Sequence, residues 1–170
     1  MARYSIDPGA SHVWIDGSSS VHPISAEAKG LTGWVDVALS GDVLPEVPDL
    51  GGEVRIEVER LRSGNPLVDR ETRRRIDARR FPEIVGTVRS AERSDDRTLA
   101  VEGEIAFRGE VESVDGELHL ETEGDGRLTI EGTATFDVRT WGLKPPRVGL
   151  LRVHPDIEVR IHLEAATPAG

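Results

Sequence analysis

The stretch Arg127–Arg139, RLTIEGTATFDVR, alternates strictly between apolar or small residues and polar residues. Because successive side chains of a β-strand point to opposite faces, this period of two predicts a long strand with one dry face and one wet face. The residues predicted to face inward are Leu128, Ile130, Gly132, Ala134, Phe136 and Val138.

The same alternation recurs in Asp156–Glu164 and in Glu53–Glu59. Five weaker strands are predicted at Ser11–Val21, Leu31–Leu39, Ile84–Ser90, Arg97–Arg108 and Gly116–Thr122. Turn residues such as Gly124-Asp125-Gly126 separate them. Amphipathic antiparallel strands form a sandwich or close into a barrel, and eight strands of this length favour the barrel. With no linker and no internal repeat, residues 1–170 are predicted to form a single all-β domain.

One segment breaks the period of two. Asn65 is a good helix cap and Pro66 suits the first helical position. The stretch Val68–Arg80 contains no glycine or proline, and Pro82 then ends it. We therefore expect one helical insertion at about residues 65–80.

The composition excludes several classes of protein. With 21 basic and 31 acidic residues the net charge is −10, whereas a non-specific nucleic-acid binder needs a broad cationic surface. No stretch approaches the roughly 20 apolar residues of a transmembrane helix, and no signal-peptide core follows the first residues. The chain is therefore expected to be a cytoplasmic protein with no nucleic-acid partner and no transmembrane segment.

No catalytic or metal motif stands out in the sequence. There is no cysteine, no His-Glu-x-x-His, no nucleophile elbow and no phosphate-binding loop. His12, Asp16 and His22 share one strand parity, but along a regular strand they would spread over roughly 30 Å and could not meet on one ion. We expect no catalytic residue, no metal and no cofactor.

Small residues occupy inward positions in the middle of predicted strands, notably Gly17, Gly132 and Ala134. Two interpretations have similar weight. The small side chains leave a cavity of the kind that an eight-stranded barrel can hold, or the glycines mark bends and close contacts. Apolar residues make up only 37% of the chain, which fits a single-layer barrel because about half of the residues in each strand face solvent. So low a share favours a hollow interior.

The predicted helix and the residues before it carry the main basic cluster of the chain. A solvated helix face with ion pairs is the usual explanation of such a charge run. The other interpretation is a site for an anionic head group or an acidic partner. The eight arginines are Arg60, Arg62, Arg70, Arg73, Arg74, Arg75, Arg79 and Arg80.

Several short segments, in this order and spacing, together resemble one known family across nearly the whole chain. They are Tyr4–Ile15, Val21–Ser25, Leu61–Asn65 with Asp69, Arg80–Ile84, Glu104–Gly109 and Phe136–Leu143. The sequence resembles the YceI-like family, whose members are also called polyisoprenoid-binding domains. The resemblance implies a lipocalin-like antiparallel β-barrel with one helical insertion, and an elongated apolar tunnel that holds an isoprenoid or another long-chain amphiphile.

This resemblance and the strand parity together give candidate ligand contacts. In the barrel interior these are Val13, Ile15, Ile105, Phe107, Ile130, Phe136, Val159 and Ile161. Trp34 and Trp141 are expected at the mouth, because an indole suits a boundary between apolar and wet regions. Arg73 and Arg74 are candidates for head-group contacts.

Two alternatives to lipid binding remain open. One is a non-catalytic stress or interaction module with a filled barrel, which would dock through its basic helix. The other, with less support, is an isomerase or cyclase that uses the barrel cavity. Lipid binding is favoured and the protein is expected not to be an enzyme. The resemblance also allows a homodimer.

Overall fold

The computed structural model describes residues 2–20, 23–124, 126–142, 147–148 and 151–168. Within these residues the chain forms one α-helix, α1 (Pro66–Ile76), and two short 3-10 helices, Val58–Arg60 and Val138–Trp141. The strands are β1 (Ala2–Ile6), β2 (His12–Ser18), β3 (Pro23–Lys29), β4 (Thr32–Val37), β5 (Leu50–Glu57), β6 (Glu83–Arg93), β7 (Thr98–Phe107), β8 (Glu110–Thr122), β9 (Arg127–Asp137), β10 (Arg147–Val148), β11 (Leu151–Arg152) and β12 (Asp156–Ala166).

The strands close into an antiparallel barrel with eight positions around the ring. Six positions are single strands, β5 to β9 and β12. The other two are each built from two short strands in tandem, β1 followed by β2 and β3 followed by β4. The ring closes at β12, which pairs with β9 on one side and with β2 and then β1 on the other. The predicted eight-stranded antiparallel barrel with one helical insertion is confirmed.

The tandem positions are where the strand prediction needs correcting. The strand predicted at Ser11–Val21 corresponds to β2, whereas β1 and β3 were not predicted from the sequence. The segment of β3, PISAEAK, begins with proline and is rich in alanine and charge, so its propensity for strand is low. Gly30 has a φ of +79° and turns the chain between β3 and β4, a conformation that glycine adopts without strain. Val21 lies outside the described residues.

The helix forms where the sequence predicts it. The Asn65 side chain accepts hydrogen bonds from the backbone N–H groups of Leu67 and Val68, at 3.0 and 3.4 Å. Val68 and Ile76 are buried against the barrel. The helix ends four residues earlier than expected because Asp77 adopts a left-handed conformation, with φ +58°, and a turn follows. In the described part of the chain, no helix has the length and apolarity needed to cross a membrane.

The end of the barrel remote from α1 is packed shut. Leu99, Leu120, Leu128 and Leu163 meet there on four neighbouring strands, each at most 3% exposed. Leu44, from the loop before β5, is also buried in this cluster. This plug fills the end of the barrel interior that is remote from α1.

On the outer face, a histidine bridges the strands around the closure of the ring. His162 of β12 contacts Glu131 of β9 through Nδ1, and its Nε2 lies 3.4 Å from Oε1 of Glu164. Its ring also stacks on His12 of β2, with centroids 5.5 Å apart. Partial burial lowers the pKa of His162, but the hydrogen bonds and charges of the two carboxylates outweigh burial, so the pKa is raised.

This raised pKa makes barrel stability depend on pH. A histidine whose pKa is higher in the folded state contributes its full stabilisation below the unfolded value near 6.5, and loses it as the pH rises through the folded value. We expect urea unfolding at about pH 6 to show a larger free energy of unfolding, relative to about pH 8, in the wild type than in His162→Gln.

Glu131→Gln should reduce the same pH difference, because it removes the main partner of His162. An unchanged pH difference in both variants would contradict this assignment.

Candidate ligand-binding site

Two internal cavities of about 190 Å³ each lie within the barrel. The upper chamber lies beneath α1, whose Val68, Thr72 and Ile76 help to line it. The lower chamber lies between the upper chamber and the leucine plug, and its walls come mainly from β5 to β9 and β12. Their linings are almost entirely apolar, so both spaces favour hydrocarbon over water.

A ring of five apolar residues lines both chambers. We call this ring the neck, and the five residues come from five different strands. Because each of them faces both cavities, the two chambers adjoin across the neck along the barrel interior. The neck consists of Ile56, Ile84, Ile105, Phe136 and Val159.

Strand register places these side chains side by side. Val159 of β12 pairs with Ala134 of β9 on one side and with Ile15 of β2 on the other. Ile161 likewise pairs with Gly132 and with Val13. Directly opposed residues share a face, so the parity predicted from β9 and β12 carries into β2 and brings the candidate contacts onto one inner wall.

Glycines shape the lower chamber in two different ways. A Cβ at Gly132 would lie 2.8 Å from both Ile161 and Leu118, so this glycine permits close packing and leaves no void. A Cβ at Gly86 of β6 would meet nothing within 4 Å. The close-contact interpretation therefore applies to Gly132. The open space lies beside Gly86, a residue that was not singled out in the sequence.

Most of the candidate contacts from the sequence line a chamber. Those in the upper chamber are Val13, Ile15, Ile105, Phe107, Phe136, Trp141, Val159 and Arg73, and those in the lower chamber are Ile105, Ile130, Phe136, Val159 and Ile161. A ligand in the barrel would touch these side chains, and their role as contacts stays a prediction.

The positions expected for the two tryptophans need correction. Trp34 lies on the outer face, where the Arg3 guanidinium sits 4.1 Å from its ring centroid, and it lines neither chamber. The sequence already indicated an outward position, because Trp34 lies two residues from polar Asp36 and next to Val35, which is buried. Trp141 is only 1% exposed, so it belongs to the chamber wall and not to a water boundary.

Trp141 is fixed as part of that wall. Its indole N–H donates a 3.0 Å hydrogen bond to the carbonyl oxygen of Ile105. Its ring meets Phe136 and Phe107 edge-on, with centroids 5.0 and 6.2 Å away. These contacts tie the 3-10 helix after β9 to the end of β7 and cover one side of the upper chamber.

The polar groups of the site gather at the helix end of the upper chamber. Asp69 accepts a 2.9 Å hydrogen bond from the backbone N–H of Ser63, and His154 is hydrogen-bonded to the Ser18 hydroxyl. Arg73 lines the chamber, and no carboxylate of the described residues lies within 4.0 Å of its guanidinium. Arg74, the other head-group candidate, lines neither chamber and pairs with Glu71 on the outside.

Several residues that line the chambers were not among the ligand contacts predicted from the sequence. Ile56 and Val58 were assigned to an amphipathic strand, and that parity was the available signal for placing them in the wall. Ile76 of α1 gave no comparable signal, because which face of a lone helix covers a barrel depends on tertiary packing. Ile84 begins a predicted strand, but the adjacent apolar residue Val85 leaves the parity there ambiguous.

The chemistry of the site is therefore a deep apolar space with a polar rim. Of the described residues that line the upper chamber, the ionisable ones are Asp69, Arg73 and His154. Glu53, Glu104 and Glu117 border the lower chamber. Glu53 and Glu104 pair with arginines at 2.7 Å, and Glu117 is exposed. Among the described residues no cluster of three potential metal ligands occurs.

The barrel is similar to several solved structures. BcnA of Burkholderia cenocepacia superposes with a TM-score of 0.78 at 15% identity, covering 95% of this chain and 99% of that one. A polyisoprenoid binding domain from Saccharophagus degradans gives 0.75 at 14% identity, with 99% and 100% covered. The YCEI protein of Campylobacter jejuni gives 0.61 at 15% identity, with 83% of each chain covered. At these identities the likeness concerns the fold.

Comparison of the sequence identifies a family but no individual curated relative. No curated protein matches this sequence significantly. The family model described as the YceI-like domain matches residues 4–165, from within β1 to the penultimate residue of β12. This match spans the barrel, the helical insertion and both chambers, and the chain therefore belongs to the YceI-like domain family.

Proposed function

We propose that this protein binds an isoprenoid or a similar long-chain amphiphile and holds its apolar chain in the two chambers. The observation that carries the proposal is the neck, whose five residues line both apolar cavities, so that the cavities adjoin along the barrel interior. The description of one structural neighbour as a polyisoprenoid binding domain supports an isoprenoid as the ligand.

The size of the barrel suits a long chain. An eleven-residue strand such as β9 spans roughly 36 Å, and a tilt of about 40° leaves roughly 28 Å along the axis. Each buried methylene contributes about 0.8 kcal/mol, so a chain of several isoprene units can bind without any polar contact. The open space at Gly86 adds width, which favours a methyl-branched chain over a linear one.

The polarity of the two chambers orients the proposed ligand. The lower chamber ends at the leucine plug, so it suits the apolar tail. The upper chamber carries Arg73 and Asp69 at the helix end, where a polar head would find donors and acceptors. The tail would therefore enter first and the head would remain under α1.

Binding without catalysis is the simpler function for this site. An isomerase or cyclase would need an acid or base beside the buried chain. The ionisable residues of the upper chamber, Asp69, Arg73 and His154, gather where the head would lie. The glutamates that border the lower chamber are paired with arginines or exposed. A filled interaction module accounts less well for two cavities of about 190 Å³. We therefore propose a carrier or store of an amphiphile that is not an enzyme.

The first experiment measures the ligand itself. Organic extraction of the purified protein followed by mass spectrometry should yield an amphiphile in near-equal molar amount. Prenols of increasing length should displace an apolar fluorescent probe, with affinity rising about tenfold or more per isoprene unit until the chambers are full. Absence of any co-purifying amphiphile, together with no uptake of any prenol, would contradict the proposal.

A second experiment places the tail in the lower chamber. Gly86→Phe should fold, because its Cβ meets no atom within 4 Å and its backbone is not left-handed, and the ring should fill the open space. We expect the longest prenols to bind at least tenfold more weakly, while short prenols bind as in the wild type.

Val85→Phe is the matched control for this variant. Val85 is the neighbouring residue of β6 and lines neither chamber, so the same added ring should leave the whole prenol series unchanged. Equal binding of the longest prenols to Gly86→Phe and to the wild type would remove the lower chamber from the site.

A third experiment tests the head-group end. Arg73→Gln should weaken binding of a prenyl phosphate by about tenfold or more, since a charge-assisted hydrogen bond contributes about 1.5–3 kcal/mol. The corresponding prenol should bind almost as before. Arg74→Gln serves as the control, because Arg74 faces away from the chamber toward Glu71. An identical loss for the phosphate and the alcohol would show that Arg73 does not select the head.

A further inference from the structure

The outer side of α1 has a composition that neither the barrel nor the chambers require. Leu67, Arg70 and Arg74 are spaced three and four residues apart, so they share one face of the helix. This face is opposite to the one that buries Val68 and Ile76. Leu67 is 53% exposed although it is a large apolar residue, and both arginines are exposed.

The segment that contains the helix is positively charged, although the chain as a whole is acidic. Residues 58–82 contain eight arginines and four carboxylates, a net charge of +4, whereas the rest of the chain carries −14. Glu71 is shared by Arg74 and Arg75, and Glu59 is exposed in the 3-10 helix before α1. No carboxylate of the described residues lies within 4.0 Å of the guanidinium of Arg70, Arg79 or Arg80.

This positive charge lies at the end of the barrel where α1 covers the upper chamber. α1 covers the upper chamber, and the opposite end of the barrel is plugged, so an amphiphile that enters at the unplugged end passes close to this helix. An exposed leucine among arginines is the pattern of helices that lie on anionic membranes, where the apolar side chain enters the interface and the cations meet the head groups.

We propose that α1 docks the protein on an anionic lipid surface. The docking face comprises Leu67, Arg70 and Arg74, with the exposed Arg79 and Arg80 in the turn that follows. This places the opening of the upper chamber at the membrane, from which an amphiphile can enter. The purpose of docking rests on the proposed function, but docking itself requires no bound ligand.

Part of the net charge of −10 is remote from α1, and two carboxylates nearer to it are paired, Glu57 with Arg60 and Glu83 with Arg55. The far end of the barrel lies roughly 28 Å from α1, which is several Debye lengths of about 8 Å at physiological salt. Carboxylates at that end are therefore screened from the membrane, whereas the arginines of the docking face are not. An acidic protein would meet the same arginines but gives no reason for the exposed Leu67, so the lipid surface is the favoured partner.

The test uses vesicles that contain no isoprenoid. Wild-type protein should sediment with phosphatidylcholine vesicles that contain roughly a third phosphatidylserine, and not with pure phosphatidylcholine. The double variant Arg70→Glu, Arg79→Glu should bind at least about twentyfold more weakly, since each arginine near an anionic surface changes partitioning about fivefold. Leu67→Ser should weaken binding several-fold without changing the Tm, because Leu67 is exposed.

The double variant Arg97→Glu, Arg127→Glu is the matched control. Both arginines are exposed at the end of the barrel remote from α1, and the change in net charge is the same. Its vesicle binding should stay within about twofold of the wild type. Equal losses in the two double variants would overturn the proposal, because net charge and not a docking face would then govern binding. Absence of wild-type binding to the anionic vesicles at low salt would overturn it too.

Two further measurements separate this proposal from others. Uptake of a prenol from solution should be unchanged in the double variant Arg70→Glu, Arg79→Glu. If the wild type binds vesicles but takes up no prenol, the proposed function is contradicted. If the wild type takes up prenol but does not bind vesicles, docking is contradicted. Binding of the wild type to polyglutamate but not to the anionic vesicles would overturn docking in favour of an acidic protein partner.

Discussion

The ladder between β9 and β12 is the constraint on which the rest of the structure depends. It runs over eleven residue pairs, from Asp137 opposite Asp156 to Arg127 opposite Ala166. A slip of one residue would turn the inward side chains of one strand to water, including Val159 and Ile161 if β12 moved. Since β12 also closes the ring against β2 and β1, its register decides which residues face the interior of the whole barrel.

The interior space follows from how unevenly this ring is filled. Leucines close one end, the five residues of the neck divide the middle, and Gly86 leaves part of the lower chamber open. Trp141 adds a rigid wall under α1 through its hydrogen bond to Ile105. Apolar surface is thus kept inside, while charge is placed on the outer strand faces and on α1. An amphiphile, with one apolar and one polar part, matches this division.

Much of this could be predicted from local patterns. The alternation in β9 and β12 gave their inner faces, and the Asn65 cap with Pro66 gave the start of α1. What could not be predicted depends on contacts between distant residues. Strand β3 owes its form to its pairing partners and not to its own propensity, and β1 is only five residues long. Trp141 follows β9 in a 3-10 helix, where strand parity no longer applies, and the void beside Gly86 depends on side chains from other strands.

In the proposed binding mode, one apolar chain occupies both chambers and passes through the neck. The most direct measurement is the electron density of the protein crystallised with a long prenol. We predict continuous density that passes between Ile105 and Phe136, with the hydroxyl end near Arg73 and the tail beside Gly86. Density confined to the outer surface, with both chambers empty at saturating prenol, would contradict it.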